Sequence, residues 1–497
     1  MAITPGGSLN SVPAPIKQAT VSNYLDLAST AGQGWAQQYL PDLMEKEAEV
    51  FGPRTISGFL SKIGAEEAMT ADQVVWSEQG RLHFSYKGAI DADNVITIQS
   101  DIDGNDTTGS GDKEINVEHG IRENDTVIVA NSNGVKKCIV TGVAGTNNAD
   151  VTVAAYDGST VATSGATTDY GTTIMVYGTE FAKGVGYNAA DESLSGSRQA
   201  NEPQFKSFTN KPIILKDYYE VNGSDASRIG WVEITGEEGQ SGYLWYLKAE
   251  ADTRARFNDY LEMAMLESVK GSGTNGVDTQ LGVDGNDTKV GTQGLFDAIQ
   301  ERGNTTSGVT GVNAATDLAE FDAILAEFDK QGAIEENMLF VNRATSLAFD
   351  DMLASMNSYG AGGTSYGVFE NDEDMALNLG FSGFRRGSYD FYKSDFRYLN
   401  DLATRGGVNA ANASEAIRGV IIPAGTSTVY DQQLGKNLKR PFLHVRYRAS
   451  QTDDRRMKTW TTGSVGAATS ALDAMQVHFL SERCLVTQGA NNFMLMK

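Results

Sequence analysis

The feature that most limits what this chain can fold into is an interruption. Between residues 91 and 180 it breaks into short β-branched runs separated by Gly, Asn, Asp and Ser turns. The runs are Val95-Ile-Thr-Ile98, Thr126-Val-Ile-Val129, Cys138-Ile-Val140, Val151-Thr-Val153 and Thr173-Ile-Met-Val-Tyr177. Recurrent short strands of this kind predict a small closed β-barrel or sandwich of about 90 residues. Strand-like sequence flanks it on both sides. Leu82, Phe84 and Tyr86 alternate with His83, Ser85 and Lys87 before it. Phe205-Lys-Ser-Phe208, Ile213-Ile-Leu215 and Gly230-Trp-Val-Glu-Ile234 resume after the polar stretch Ala189 to Glu202. Alternation with a period of two marks strands with one buried face, so the pattern predicts an extended β-hairpin carrying an inserted domain.

The elements around this hairpin are of different kinds. A Gly/Ser/Pro/Asn arm, Thr4-Pro-Gly-Gly-Ser-Leu-Asn-Ser-Val-Pro-Ala-Pro15, has too few apolar residues to fold alone. A helix is predicted after it from Leu40, Met44, Ala48 and Phe51, ended by Gly52-Pro53. The strongest helical pattern runs from Ser241 to Lys270, where Leu244, Leu247, Ala251, Ala255, Leu261, Met265 and Val269 form a stripe interrupted at Asn258. At about 1.5 Å per residue that is a spine of roughly 45 Å. Beyond a glycine-rich loop comes an α/β unit. Its first helix has Asp317-x-x-Glu320 as a capping box, Leu318, Phe321, Leu325 and Phe328 on one face, and Gly332 as its stop. Strand Asn337–Val341, helix Ala344–Met356 and strand-like pieces at Asp390–Tyr392, Gly419–Ile422, Leu443–Tyr447 and Met475–Phe479 complete a mixed α+β carboxyl half.

Length and charge narrow the class. A chain of 497 residues exceeds one compact core, so two to four modules are expected. No apolar run approaches the roughly 20 residues of a membrane span, and no basic-then-apolar leader is seen, so neither membrane insertion nor conventional secretion is expected. The formal charge of −24 is uneven. Asp91 to Glu180 holds fourteen acidic and four basic residues, whereas Arg385 to Lys458 holds fourteen basic and seven acidic. Such asymmetry suits surfaces that meet different partners, the basic one polyanion or another copy's acidic surface; two solvated faces would give the same counts.

The residue types that usually carry chemistry are sparse. The only cysteines, Cys138 and Cys484, are 346 positions apart, and His83, His119, His444 and His478 stand singly, without the spacing of a zinc or general-base motif. A reducing compartment is expected. Gly271-Ser-Gly-Thr-Asn-Gly276 matches a dinucleotide fingerprint in letters but follows a helix rather than a strand. Gly363-Thr-Ser-Tyr-Gly367 matches a nucleophile elbow around Ser365 but lies in a glycine loop. The acid pairs Glu237-Glu238, Glu335-Glu336 and Asp350-Asp351 read as solvated faces. Asp101, Asp103, Asn105 and Asp112 have calcium-loop spacing, but Asp106 replaces the turn glycine and the flanks read as strands, so a surface turn is expected. No catalytic, cofactor-binding or metal-binding residue is assigned.

Arms and long hairpins cannot bury their surfaces within one subunit, so overlap with neighbouring copies is expected. Here the sequence resembles a family: the tailed-phage major capsid proteins of the Hong Kong 97 type, in the crAss-like phage branch. The similar stretches are Tyr39–Phe51, Gly64–Glu78, Phe208–Asp217, Tyr219–Asp225, Gly230–Ile234, Gly242–Glu250, Phe479–Cys484 and Gln488–Phe493. They avoid the acidic insert and the glycine loops.

The resemblance implies an α+β capsid fold with these parts: residues 1–60 as N-terminal arm, 61–90 with 181–240 as E-loop, and 91–180 as an inserted β-barrel-like domain. It implies a P-domain of residues 241–312 with 441–497, containing the spine helix, and an A-domain of 313–440. It further implies no enzymatic activity and no cofactor, but self-association as hexamers and pentamers into an icosahedral head shell. Portal, separate scaffold, and decoration or fibre proteins would be partners, with non-specific contact to packaged double-stranded DNA, after assembly in the host bacterial cytoplasm. Some relatives join subunits through a Lys–Asn isopeptide bond; Lys183, Lys206 and Lys211 lie in the implied E-loop, and no spacing singles out a bonding pair. The acidic insert would then face outward and the basic stretch either inter-subunit acids or DNA. A tail or spike protein and an S-layer protein are the alternatives. The first should be mostly β, and the second should carry an export signal.

Overall fold

The computed structural model describes residue 59 and residues 65–78, 82–102, 118–132, 134–161, 169–183, 206–226, 233–235, 241–243, 245–271, 291–332, 334–357, 383–424, 426–431, 436–466 and 468–497. The chain divides into two compact units, Ser77–Ser207 and the combination of Met1–Trp76 with Phe208–Lys497. The arm, with its helix at 40–51, lies outside the described residues.

The smaller unit contains a closed six-stranded barrel. Its strands run in the spatial order Ser85–Ile90, Val95–Asp101, Asp150–Ala155, Gly134–Ala144, Asp125–Asn131 and Thr172–Thr179, the last pairing back with the first. Its interior is filled by residues two apart: Ile96 and Ile98, Val127 and Val129, Cys138 and Val140, Val151 and Val153, with Ile90 and Ile174. This is the period of two made three-dimensional, and each buried Ile or Val contributes roughly 1.5–3 kcal/mol. Ser85–Ile90, read from the sequence as part of the hairpin limb, is instead the strand that closes the barrel. Closure requires one strand to satisfy two open edges. Gly88 permits it, because a Cβ there would lie 2.2 Å from the Thr97 carbonyl oxygen at the register shift between Lys87 and Gly88.

The chain leaves and re-enters the larger unit through Val74–Glu78 and Lys206–Asn210, five residues each, which pair with one another. The Arg302 guanidinium sits 4.3 Å from the Phe208 ring centre and 5.7 Å from that of Trp76. Among the described residues this ribbon is where the limbs of the expected long hairpin pair. The next strand, Ile213–Asn222, pairs antiparallel along its whole length with the 14-residue strand Ala474–Thr487.

That long strand is the centre of a five-stranded sheet. Leu443–Arg448 flanks one end of it and Lys458–Gly463 the other, while Ala65–Met69 adds parallel to Leu443–Arg448 as an edge. A second, six-stranded sheet has the order Asn304–Thr306, Met494–Met496, Gly419–Pro423, Glu336–Val341, Tyr389–Asp395 and Gly383–Arg386. Leu339, Val341, Ile421, Met494 and Met496 point to one core with Phe321, Phe328, Phe349 and Leu353. The intervening Phe340, Val420, Ile422 and Leu495 point to the other, with Met265, Leu266, Leu295, Phe296, Leu443, Val445 and Leu485. A sheet covered on both faces explains why Gly419-Val-Ile-Ile422 reads as continuous apolar sequence rather than alternating.

Two helices, Ala314–Gln331 and Arg343–Asn357, cover the first of these cores. The N-cap of the first is Asn313, whose side chain accepts from Thr316 N, rather than the expected box at Asp317. Asp317 accepts from Gly311 N and Glu320 from Val309 N, so both acids tie down the preceding loop instead. Gly332 ends the helix in the left-handed region at φ 66°. The spine helix spans Trp245–Glu267, 23 residues and so about 35 Å, shorter than expected. Leu261 and Met265 of the expected stripe are buried, with Thr253, Phe257 and Leu266, whereas Ala251 is exposed and Val269 is 62% exposed. The buried stripe thus agrees with the expected one at Leu261 and Met265 and lies out of phase with it at Ala251 and Ala255. Phe257 inserts beside Phe479, and the Thr253 hydroxyl satisfies itself on the Ala249 carbonyl.

Candidate functional site

The long strand Ala474–Thr487 carries a polar triplet, Ser481-Glu482-Arg483, between the apolar pairs Phe479-Leu480 and Cys484-Leu485, and all three residues are buried. Buried charges need partners, and the fold supplies them from both ends of the chain. Arg483 shares the face of Val477, Phe479 and Leu485. Its Nη1 lies 3.5 Å from Glu66, its Nε donates to Ser481 Oγ at 2.9 Å and its Nη2 to the Arg456 carbonyl at 2.8 Å. Burial lowers its pKa, and the charges of Glu66 and Glu262 oppose that shift. Glu66 also pairs with Arg456. On the opposite face Glu482 lies 3.1 Å from Arg455 and 3.8 Å from Arg448, Arg448 reaches Asp72, and Arg446 pairs with Glu67 at 2.7 Å. The edge strand Ala65–Met69 and the turn after it are thus locked by arginines on both faces, across 376 positions of sequence for Asp72 and Arg448.

Beside this network, under the spine helix, is a recess of about 440 Å³ lined by Glu66, Asn258, Leu261, Glu262, Arg456 and Arg483, with Asp454 and Met457. Its size suits a small ligand, but its charged walls hold one another and present no nucleophile–base pair. What this arrangement does chemically is fix position. Breaking a buried pair of this type costs several kcal/mol, far more than an exposed one.

A second lock closes the far end of the spine helix. Glu267, in the last turn, accepts from Tyr398 Oη and from Arg405 Nη1, both at 2.8 Å. A carboxylate there opposes the helix dipole, and Arg405 offsets that. Burial raises the Tyr398 pKa, and the Glu267 charge and hydrogen bond add to the effect. Lys393 and Asp350 form a nearly buried pair, with 6% and 13% of their side chains exposed.

These pairs change the reading of the basic stretch. Of its fourteen basic residues, the side chains of Lys436, Lys439 and Arg440 lie outside the described set, leaving eleven. Ten of the eleven pair with acids of the same chain, counting Arg385–Asp390, Arg386–Asp322, Arg397–Asp401 and Lys458–Asp453 with those above. The eleventh, Arg418, donates to the carbonyls of Val309, Ser307, Gly308 and Lys497. Among the described residues the charge of this stretch is therefore largely matched within the chain.

The other residues singled out in the sequence do not converge. Ser365 with its glycines, Glu237-Glu238, and Asp103, Asn105 and Asp112 lie outside the described residues, and Asp101 ends a barrel strand. Of Gly271–Gly276 only Gly271 is described. Glu335-Glu336 is exposed at a strand start, and Asp350 and Asp351 separate into a buried partner of Lys393 and an exposed residue. Lys183 and Lys206 are exposed and Lys211 is half-buried. His478 stacks between Trp460 at 5.1 Å and Tyr218 at 5.9 Å, His444 is buried, and His83 is exposed.

His119, 3% exposed in the barrel, donates from Nε2 to the Asn148 carbonyl and accepts from Ile121 N at Nδ1. Burial brings its pKa down to about 4, and the Arg122 charge adds to this against the Asn148 bond. Cys138 and Cys484 are buried free thiols pushed up to about 11 and about 12, chiefly by burial. Among the described residues no group of three or more His, Cys, Asp or Glu side chains is placed to hold a metal ion, and no helix is long and apolar enough to cross a membrane. The charged network was missed in the sequence. Its one signal was the polar triplet Ser481-Glu482-Arg483 flanked on both sides by apolar residues of the strand.

No family model matches this chain, and no curated protein matches it. Among solved structures it is similar to one from Microbacterium phage Oxtober96, with 11% identity and a TM-score of 0.36, covering 93% of this chain and 98% of that one. It is also similar to the capsid structure of the cyanophage P-SCSP1u, with 8% identity and a TM-score of 0.39 over 96% and 98% of the two chains. A third likeness is to the asymmetric unit of the bacteriophage PhiM1 mature capsid, with 9% identity and a TM-score of 0.31 over 64% and 79%.

Proposed function

We propose that this chain is the major capsid protein of a tailed phage, with a Hong Kong 97-type fold of the crAss-like branch. It self-assembles as hexamers and pentamers into an icosahedral head shell around double-stranded DNA. The carrying observation is the order of elements. A two-stranded ribbon leads out to an inserted β-barrel and back, followed by a spine helix packed on a sheet and then an α/β layer, with the C-terminal residues supplying strands to both sheets.

In this reading the arm, E-loop, insert, P-domain and A-domain have the bounds implied by the resemblance, except that Ser85–Ile90 belongs to the insert rather than to the E-loop. The ion-pair locks at Glu66, Glu67, Asp72 and Glu267 would brace the larger unit while its ribbon and sheet edges engage neighbours. Portal, scaffold, and decoration or fibre proteins would be the heterologous partners. DNA contact would be non-specific and made without a dedicated basic patch, since the charge of Arg385 to Lys458 is largely matched within the chain. The acidic insert suits the outer surface, where like charge disperses particles.

Electron microscopy of the purified full-length chain tests this. Closed shells or hexameric sheets are expected; stable monomers or fibres would overturn it.

A further inference from the structure

On the outside of the barrel, two tyrosines flank an open recess of about 510 Å³. Tyr156 is 51% exposed and Tyr177 50% exposed, and Thr126, Lys137, Gly178, Thr179 and Glu180 complete the lining. The local backbone produces this arrangement. Thr126 pairs with Gly178 and Val127 with Val176, so Tyr177 is the extra residue of a β-bulge and is turned outward. Bulges commonly re-aim a side chain at a barrel rim. Gly178 keeps the floor low: a Cβ there would meet Thr126 Oγ1 at 3.1 Å. Tyr156 is held from two sides, its backbone N donating to the Lys137 carbonyl at 3.1 Å and its Oη donating to Glu180. The result is two oriented aromatic faces ringed by a carboxylate, an ammonium and two hydroxyls.

We infer that this recess binds a neutral saccharide, one or two pyranose rings of a surface glycan. The inference does not depend on the shell reading. A pyranose has an apolar C–H face that covers a tyrosine ring and hydroxyls that both donate and accept, which the Glu180, Lys137, Thr126 and Thr179 groups match. Other ligand classes fit less well. A closed barrel has no free edge for an added peptide strand. The ten-unit negative excess of Asp91 to Glu180, fourteen acidic minus four basic, repels nucleic acid and anionic glycans. The volume is that of a small-molecule site, but its polar rim and openness do not suit a lipid chain.

The test is saturation-transfer NMR on the full-length protein, with maltotetraose, cellotetraose, mannotetraose and chitotetraose as neutral probes and a heparin tetrasaccharide as the anionic one. At least one neutral probe is expected to bind with a dissociation constant on the order of 1 mM, and more tightly than the heparin fragment. Tyr156→Ala and Tyr177→Ala should each weaken it roughly fivefold to tenfold. Tyr156→Phe should weaken it less, and Tyr170→Ala, at an exposed barrel tyrosine outside the recess, should leave it unchanged. Binding of none of the neutral probes, stronger binding of heparin, or affinity indifferent to both alanine variants would each overturn the inference. So would a silent sugar panel with altered self-association in Tyr177→Ala, which would make the recess a contact between copies.

Discussion

His119 offers a sharp test of how the barrel is held together. Its ring is neutral in the folded chain chiefly because it is buried, with Nδ1 accepting from the Ile121 amide and the Arg122 charge adding to the effect, while the Nε2–H bond to the Asn148 carbonyl opposes it. The folded pKa of about 4 lies below the ordinary 6.5. Between those values the unfolded chain binds a proton that the folded barrel does not, so stability is full above about pH 6.5 and is lost as pH falls toward 4. At 1.36 kcal/mol per unit, the loss approaches about 3 kcal/mol. His119→Gln removes the titration while keeping a donor toward Asn148. It should cost a roughly pH-independent 1–2 kcal/mol from the orphaned Ile121 amide. The assay is hydrogen exchange of the core amides in Asp125–Asn131, corrected for intrinsic rates, on the full-length wild type and variant from pH 7 to 4. The wild type should lose about 3 kcal/mol more of opening free energy than the variant over this range. Parallel pH curves for the two proteins would refute the reasoning, because all other groups titrate in both.

Two further outcomes test the locks and the barrel closure. Glu482→Ala, which removes the acid partner of Arg455 and leaves Arg448 with Asp72 alone, should destabilise the larger unit by about 3 kcal/mol in urea denaturation, whereas Lys330→Ala at the exposed Glu327 pair should change it by less than about 0.5 kcal/mol. Equal small effects would mean the strand-centre charges are not locks. Gly88→Ala should drive a methyl against the Thr97 carbonyl and cost about 2 kcal/mol or more, read as faster exchange in the barrel with the spine helix unchanged.

Local pattern alone determined a good deal of this protein. β-branched runs punctuated by turns fixed the strands of the barrel, and the steps Phe321, Leu325, Phe328 with Gly332 fixed a helix and its end, because both signals are contained in a few neighbouring residues. Where a face depends on what packs against it, the sequence misled. The spine helix buries Phe257 rather than Ala251, since Phe479 waits opposite, and Asp317 and Glu320 serve a loop rather than a cap.

Pairing between distant segments was illegible for the same reason. Nothing near Ser85–Ile90 says that it must close a barrel, and nothing near Glu66 says that Arg456 and Arg483 will meet it. Charge is the clearest case. The sequence by itself determined that Arg385 to Lys458 is basic and Asp91 to Glu180 acidic, because a count needs no coordinates. Only the tertiary structure decided that the basic excess is largely matched within the chain, because Coulomb energy depends on separation in space and not along the chain.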